Sequence, residues 1–320
     1  MPIALHNQKT YDAIIVAGEE PASRRVLNQH KALLKIDRQY CIQYVINTLQ
    51  QVQAVGDIYI VGPRDKLTDV LKECSLNLNN PKRIHLIQQV GNLYENVWHA
   101  FLASLPDRHV DGGSLLSQSR DKAVLIVPCD APLITVQEVT YFIANSDMDR
   151  YDYVLGLTPE KSMQYFYPRE DRPGIKMAYL HMKEKNYRIN NLHMVKPARV
   201  KNRDHINKMY AYRYQKRIAN IIQLGWYVIR TDRFRSYRLL MGLQLAVKCS
   251  GYNYTKLTRF FSRWAPRKEL ENAISRLLNT RFASLEVPYP GAALDIDNDA
   301  DFRSLRIMFS AWSRYLESMP

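Results

Sequence analysis

Over the first 160 residues, short apolar β-rich runs alternate with amphipathic stretches, and this rhythm limits the fold more than any other feature of the chain. "YDAIIVA" reads as a strand that ends at Gly18. "QYCIQYVINTLQQVQAV" follows, with Cys41, Tyr44, Val45, Ile46, Leu49 and Val52 near helical period. "DIYIVG", "RIHLIQQ", "KAVLIVPCD" and "YDYVLGL" read as further strands. Between them lie the helical stretches "RDKLTDVLKEC", "NLYENVWHAFLASL" and "TVQEVTYFIA", the last with Thr135 placed to cap it. Such alternation predicts an α/β domain built on a mostly parallel sheet, with ligands at the carboxyl ends of the strands.

The rhythm changes after residue 160. "KMAYLHM" and "NNLHMVKP" suggest short strands, and 203–279 reads as mainly helical. "RFASLEVP" reads as a last strand and "DADFRSLRIMFSAWSRYLESM" as a closing helix. The polar stretch 106–122 is a loop with no assigned chemistry. The expected organisation is an α/β core over 1–200, a basic helical segment over 201–280, and a final strand and helix of the core over 281–320.

Charge divides the same way. Residues 1–160 hold fifteen Lys/Arg against eighteen Asp/Glu, and residues 161–320 hold thirty against thirteen, for a net charge of +14. A basic half of this kind suits a polyanion, an anionic membrane surface or a phosphorylated substrate, and equally a solvated basic face. "RTDRFRSYRLLMGLQLAVKCSGYNYTKLTRFFSRWAPRK" joins basic and aromatic residues to an apolar stretch, as a helix pair on an anionic membrane or a helical subdomain packed on the sheet would. Nucleic acid is not expected, since no RNA-recognition motif accompanies the Lys/Arg and tyrosines of 196–217. Four scattered cysteines without a CxxC pair argue against a disulfide framework or zinc site. With no signal pattern and no spanning apolar run, the expected location is the cytoplasm, with peripheral contact at the inner membrane face left open.

Three strand ends carry candidate chemistry. In the loop 18–31, Gly18 permits close backbone approach or positive φ, Lys31 adds a point charge, and Arg24 and Arg25 suit forked phosphate contacts. The competing reading is a basic loop without a ligand. In "VPCDAPLIT", Asp130 ends an apolar strand, where a carboxylate can hold Mg²⁺ with substrate phosphates or serve a turn; Cys129 reads as a packed neighbour. In "ALDIDNDADF", Asp295 and Asp297 would share one face of a strand around Ile296, with Asn298 or Asp299 capping the last helix.

Taken together, these residues resemble the GT-A type nucleotidyltransferases, which include molybdenum cofactor guanylyltransferases, sugar-phosphate nucleotidyltransferases and CTP-dependent cytidylyltransferases. The opening L-A-G-G-x-G-x-R…K-x-L appears as "VAGEEPASRRVLNQHKALLKI", keeping Ala17, Gly18, Arg24 or Arg25, and Lys31. The P-x-D-x-P segment appears as "VPCDAPLIT", and the closing acidic motif as "DIDNDADF". The resemblance implies a Rossmann-like twisted sheet and a Mg²⁺-dependent transfer of NMP from an NTP to a phosphorylated small-molecule or lipid-precursor acceptor, with pyrophosphate leaving. By motif position, Ala17 and Gly18 would bind the nucleotide, Gly18, Arg24 or Arg25, and Lys31 would hold the triphosphate and stabilise the transition state as catalytic residues, and Asp130 and Asp297 would hold the Mg²⁺. Gln89, Gly91 and Asn96, in "QQVGNLYEN", would read the base, and Asn190 and Asn191 would contact the acceptor.

One position departs from the pattern. Glu19 stands at the second glycine of the motif, and Glu20 follows. Two unit charges about 5 Å apart at an effective dielectric of about 20 repel by roughly 3 kcal/mol, so these side chains turn outward, face a metal, or mark an altered site. Two alternatives therefore stay open: a GT-A glycosyltransferase using a nucleotide-sugar, and a catalytically degraded nucleotide-binding or scaffold protein.

Overall fold

The computed structural model describes residues 9–19, 25–74, 80–106, 119–202 and 236–320. In chain order the strands are β1 (Tyr11–Val16), β2 (Lys35–Ile36), β3 (Gln39–Tyr40), β4 (Val55–Gly62), β5 (Ile84–Gln88), β6 (Val124–Pro128), β7 (Tyr153–Pro159), β8 (Leu180–His181), β9 (Asn186–Val195) and β10 (Phe282–Glu286). The helices are α1 (Cys41–Gln51), α2 (Arg64–Glu73), α3 (Leu93–Ala103), α4 (Val136–Asn145), α5 (Glu160–Met163), α6 (Tyr237–Gly251), α7 (Thr255–Ser262), α8 (Arg267–Leu278) and α9 (Asp299–Glu317). The central sheet runs β10-β7-β9-β6-β1-β4-β5, with β8 paired to β9. β5, β4, β1 and β6 are mutually parallel, as are β7 and β10, and β9 runs antiparallel between the two sets.

Strand alternation sorts the core into two layers. Ala13, Ile15 and Ala17 pack with Ile42, Val45, Ile46 and Leu49 of α1 and Val139, Phe142 and Ile143 of α4. Ile14, Tyr59 and Val61 face the other way, onto Val97, Ala100 and Phe101 of α3 and Leu278 of α8. Burial on both faces is why β1 and β6 read as nearly continuous apolar runs. Asn92 starts α3 with a capping box: its side chain accepts from the Glu95 amide, and its own amide donates to the Glu95 carboxylate. Thr135 caps α4, as its sequence position predicts.

A separate cluster lies over the carboxyl end of the sheet. Phe302, Leu305, Phe309, Trp312 and Leu316 of α9 pack with Val26, Leu34 and Ile36 from the first loop, Leu133 from the loop after β6, and Leu294 and Ile296. Phe166 meets Trp312 edge-on with ring centres 5.3 Å apart. The closing helix thus clamps together three loops that are remote in sequence.

The segment carrying Asp295 and Asp297 is not a strand. Pro288 and Pro290 lack the amides a ladder needs, and Gly291–Ala293 forms a 3₁₀ turn. The turn is braced from β9 and α4. Arg188 Nε donates to Ala293 O, Asn191 Nδ2 to Ala292 O, Asn190 Nδ2 to Tyr289 O, and Ala292 N to Glu138 Oε2. A side chain at Gly291 would run into Leu133 O at 2.3 Å and Glu138 Oε2 at 2.6 Å, so only glycine allows this approach.

Candidate active site

Lys31 opens a short 3₁₀ turn, Lys31–Leu33, whose Ala32 is buried. Its Nζ lies 2.8 Å from Asp130 Oδ2 and 3.8 Å from Asp297 Oδ1. Asp130 stands two residues past the end of β6, and its carbonyl accepts from Ile296 N at 3.1 Å, which ties the two acidic loops together. Asn298 then caps α9, accepting from Ala300 N and Asp301 N. Asp299 Oδ1 accepts from Leu27 N at 3.0 Å, so the first loop is fastened to the start of α9 as well. Three segments more than 90 residues apart therefore meet around one ammonium group.

Burial alone would lower the Lys31 pKa, but Asp130, then Asp297 and Asp295, outweigh it and hold the ammonium well above the usual lysine range. Arg188, on β9, adds a second cation: its Nη2 lies 2.8 Å from Asp295 Oδ1 and 3.7 Å from Asp297 Oδ2. Partial burial and the adjacent Asp295 raise the Asp297 carboxyl above its ordinary value, against the pull of Lys31 and Arg188. Three carboxylates facing two cations leave a surplus negative charge, and all the donors are oxygens, the set a hard divalent cation prefers. Among the described residues no group of three or more His, Cys, Asp or Glu side chains is arranged to hold a metal ion. Two carboxylates suffice where substrate phosphates complete a Mg²⁺ shell.

The glycine loop forms the neighbouring wall. No described glycine has positive φ. At Gly18 a Cβ would stand a tight 3.1 Å from Asn96 Nδ2 and at an ordinary 3.8 Å from Gln89 Oε1, so the backbone lies close to both side chains. Gln89 clasps the loop by accepting from Glu19 N at 2.8 Å and donating to Glu19 O at 3.0 Å. Asn96 Oδ1 accepts from the Val90 and Gly91 amides, and its Nδ2 donates to Gly91 O. Gly18, Gln89 and Asn96 therefore come together, while Gly91 has a local reason to be glycine: a Cβ would strike the Glu95 carboxylate that closes the α3 capping box. Buried His30 completes the loop; its Nδ1 has no hydrogen-bond partner among the described residues, and burial lowers its pKa.

Glu19 is turned to cations. Its carboxylate lies 2.9 Å from Arg25 Nη2 and 2.6 Å from Lys66 Nζ, and the Lys66 hydrogen bond is the main reason its pKa falls below the usual range. Arg24 and Glu20 lie outside the described residues.

The two asparagines do not present themselves as a pair. Asn190 is fully buried, and its Nδ2 donates to Glu138 Oε1 and Thr158 Oγ1 at 2.8 Å each, as well as to Tyr289 O. Strand alternation puts it under α4, so it is an internal brace rather than a group offered to an acceptor. Asn191 is half-buried with φ of 64°, next to the register shift where β9 pairs with β7, and its amide holds Ala292. Sequence reasoning missed Arg188 and Lys66 altogether. Their only signal was being basic, in a chain with 45 Lys/Arg residues.

A parallel-sheet rim with a glycine loop, a clamped lysine and convergent acids is the architecture of an α/β nucleotidyltransferase. The chain belongs to the MobA-like NTP transferase domain family, whose family model matches residues 13–193. Among solved structures it is similar in fold to a hypothetical transferase from Thermus thermophilus, at 18% identity and a TM-score of 0.58, over 91% of this chain and 99% of that one. It also matches a 4-diphosphocytidyl-2C-methyl-D-erythritol synthase from Anaerococcus prevotii, at 11% identity and a TM-score of 0.45, over 95% of this chain and 100% of that one. A CMP:2-keto-3-deoxy-manno-octonic acid synthetase complexed with CTP matches at 11% identity and a TM-score of 0.45, over 95% of this chain and 99% of that one. A search of curated proteins returns no match.

Proposed function

We propose that the protein transfers the NMP group of an NTP to a phosphorylated small-molecule or lipid-precursor acceptor. A phosphate oxygen of the acceptor attacks the α-phosphorus, the bond to the bridging oxygen breaks, and pyrophosphate leaves with the electron pair. The observation that carries this reading is the meeting of Lys31 with Asp130 and Asp297 at the carboxyl rim of the sheet. In this reading Lys31, Arg25 and the amides after Gly18 bear on the triphosphate and stabilise charge as it develops on the leaving group. Arg24 belongs to the same expectation. Gln89 holds the glycine loop through both backbone groups of Glu19, and Asn96 holds the Val90–Gly91 turn beside it.

Asp130 and Asp297 would hold Mg²⁺, which when bound neutralises phosphate charge. Arg188, paired with Asp295 and Asp297, keeps both acids aimed. The test is pyrophosphate release on mixing the protein with each NTP, Mg²⁺ and a panel of sugar and alcohol phosphates. Release that needs both NTP and acceptor supports the reading, and no release with any combination overturns it.

The Glu19 position gives a second measurement. Arg25 and Lys66 are shared between Glu19 and any bound phosphate, so the carboxylate competes with substrate. Glu19→Gln keeps the backbone bonds to Gln89 and removes that competition. At about 1 kcal/mol for a partly exposed pair, the KM for NTP is expected to fall roughly three- to tenfold, with kcat changed less than about twofold. Steady-state pyrophosphate release at varied NTP reads both constants, and a raised KM would assign Glu19 a supporting role instead.

A further inference from the structure

The helix pair α6–α7 has a packed side and an unpartnered side. On the packed side, Leu239, Ala265 and Ala273 cluster with Leu243 and Leu270. Gly242 lets the two helices touch, since a Cβ there would stand 2.7 Å from Trp264 Cβ and 2.9 Å from Phe261 O. The turn after α7 and the start of α8 are fastened to the β8–β9 hairpin by Lys183 N donating to Ala265 O and Arg267 N donating to Glu184 Oε2, both at 3.0 Å. The start of β9 pairs with the end of β7, Tyr187 opposite Pro159, and Arg188 comes next. The helix pair therefore borders the end of the sheet that carries the site.

The other side is apolar, aromatic and cationic together. Tyr252 is 64% exposed, Tyr254 58%, Leu257 48% and Phe260 49%. Lys256, Arg259, Phe260 and Arg263 are spaced i, i+3, i+4, i+7, one face of a helix. With Thr255 they line a cavity of about 350 Å³. Lys248, Lys256, Arg259 and Arg263 have no carboxylate partner among the described residues, and the sequence from 233 to 268 contains no Asp or Glu at all. No described helix is long and apolar enough to cross a membrane.

We infer that this face docks on an anionic lipid bilayer, with Lys256, Arg259 and Arg263 against headgroup phosphates and Leu257, Phe260, Tyr252 and Tyr254 in the interfacial layer. The occupant is set by the combination. Unpaired cations with no acid among them demand a negative surface. Aliphatic and aromatic side chains half exposed on the same short helix gain by entering the acyl boundary, where tyrosine keeps its hydroxyl among headgroups and long cationic side chains reach outward. A soluble acidic partner would use the charges but leave the adjoining apolar side chains without a role. The inference does not rest on the nucleotidyl-transfer reading.

The experiment is co-sedimentation of the full chain with phosphatidylcholine vesicles, alone or with about 30% phosphatidylserine. Wild type is expected to pellet with the anionic vesicles and to stay in solution with the neutral ones. Lys256→Glu/Arg259→Glu/Arg263→Glu should weaken partitioning by at least about a hundredfold, taking roughly a tenfold loss or somewhat less per cation. Leu257→Ser/Phe260→Ser should weaken it about tenfold or more without a change of charge. All five positions are exposed, so thermal melts and pyrophosphate release in free solution should match wild type, which separates a failure here from a failure of the enzymatic reading. The inference is overturned by any of three results: no pelleting on anionic vesicles, equal pelleting on neutral ones, or pelleting untouched by both sets of substitutions. Binding to a single-stranded RNA oligonucleotide in the absence of vesicle binding would hand the face to nucleic acid and overturn it as well.

Discussion

Asp130→Asn is expected to lower kcat/KM for nucleotidyl transfer by about a thousandfold or more, roughly 4 kcal/mol of transition-state stabilisation. The substitution keeps the shape of the side chain and removes its charge. In the proposed reading that charge serves twice: it holds Mg²⁺ and it fixes the Lys31 ammonium 2.8 Å away. Folding should suffer too. Lys31 and Asp130 are only 23% and 12% exposed as side chains, and removing one partner leaves a mostly buried cation leaning on Asp297 at 3.8 Å. A cost of about 1–3 kcal/mol is expected. The two effects separate in Lys31→Met/Asp130→Asn, which deletes both charges. Stability should return most of the way, because the cluster regains the net charge it has in wild type, while turnover should stay as low as in either single variant, since groups acting as one unit are not additive. Urea melts and pyrophosphate release on the three proteins measure both halves. Turnover of Asp130→Asn within about threefold of wild type would remove Asp130 from the chemistry, whatever happened to stability.

The parts of this site that could be read from the chain are those where one physical demand acts on neighbouring residues. β1 and β6 are buried on both faces, so their apolar runs are continuous, and the first polar residue after each run marks a strand end. That placed Gly18 and Asp130 on the rim, and Lys31 followed from the same loop. Asp297 was placed for a reason that does not hold: its segment is a proline-punctuated turn, and the acids converge because Arg188 gathers them. Residues whose role depends on distant partners were not legible. Arg188 owes its position to Ala293 and Asp295, more than 100 residues away. Asn190 was expected to contact the acceptor from its motif position alone, yet α4 covers it and Glu138 takes its hydrogen bond. The face of α6–α7 was visible as composition, but its inner and outer sides could be told apart only once Gly242 and Trp264 were seen to touch.

Glu138 should impose an unusual pH dependence on stability. It stands three residues after the Thr135 cap, where an acid on the surface would be unremarkable, but it is fully buried. Its two oxygens accept from Asn190 Nδ2 and Ala292 N, holding the turn that carries the acidic loop. Burial raises its pKa from 4.5 to about 8, and the hydrogen bonds only partly oppose that rise. In the unfolded chain the group titrates near its ordinary value. Between about pH 4.5 and 8 the native state therefore holds a proton that the unfolded state has released, and stability falls as pH rises through that window. At 1.36 kcal/mol per pKa unit the full loss is on the order of 5 kcal/mol above pH 8. Asp301, raised to about 6 by burial and by Asp297, acts in the same direction lower in the range. Acids held low by cations, such as Glu19 and Asp152, act in the opposite sense and lose their contribution as pH falls. The clean measurement is therefore a difference. Glu138→Gln keeps an oxygen for Ala292 N and cannot ionise, so its urea midpoint should overtake that of wild type as pH climbs from about 6 to 9, while the two converge near pH 5. Glu138→Ala should be less stable throughout, because it strands Ala292 N in the core without an acceptor. If wild type and Glu138→Gln lost stability in parallel across that range, Glu138 would be ionised in the native protein, and the brace beneath the acidic loop would be a buried carboxylate rather than a neutral acid.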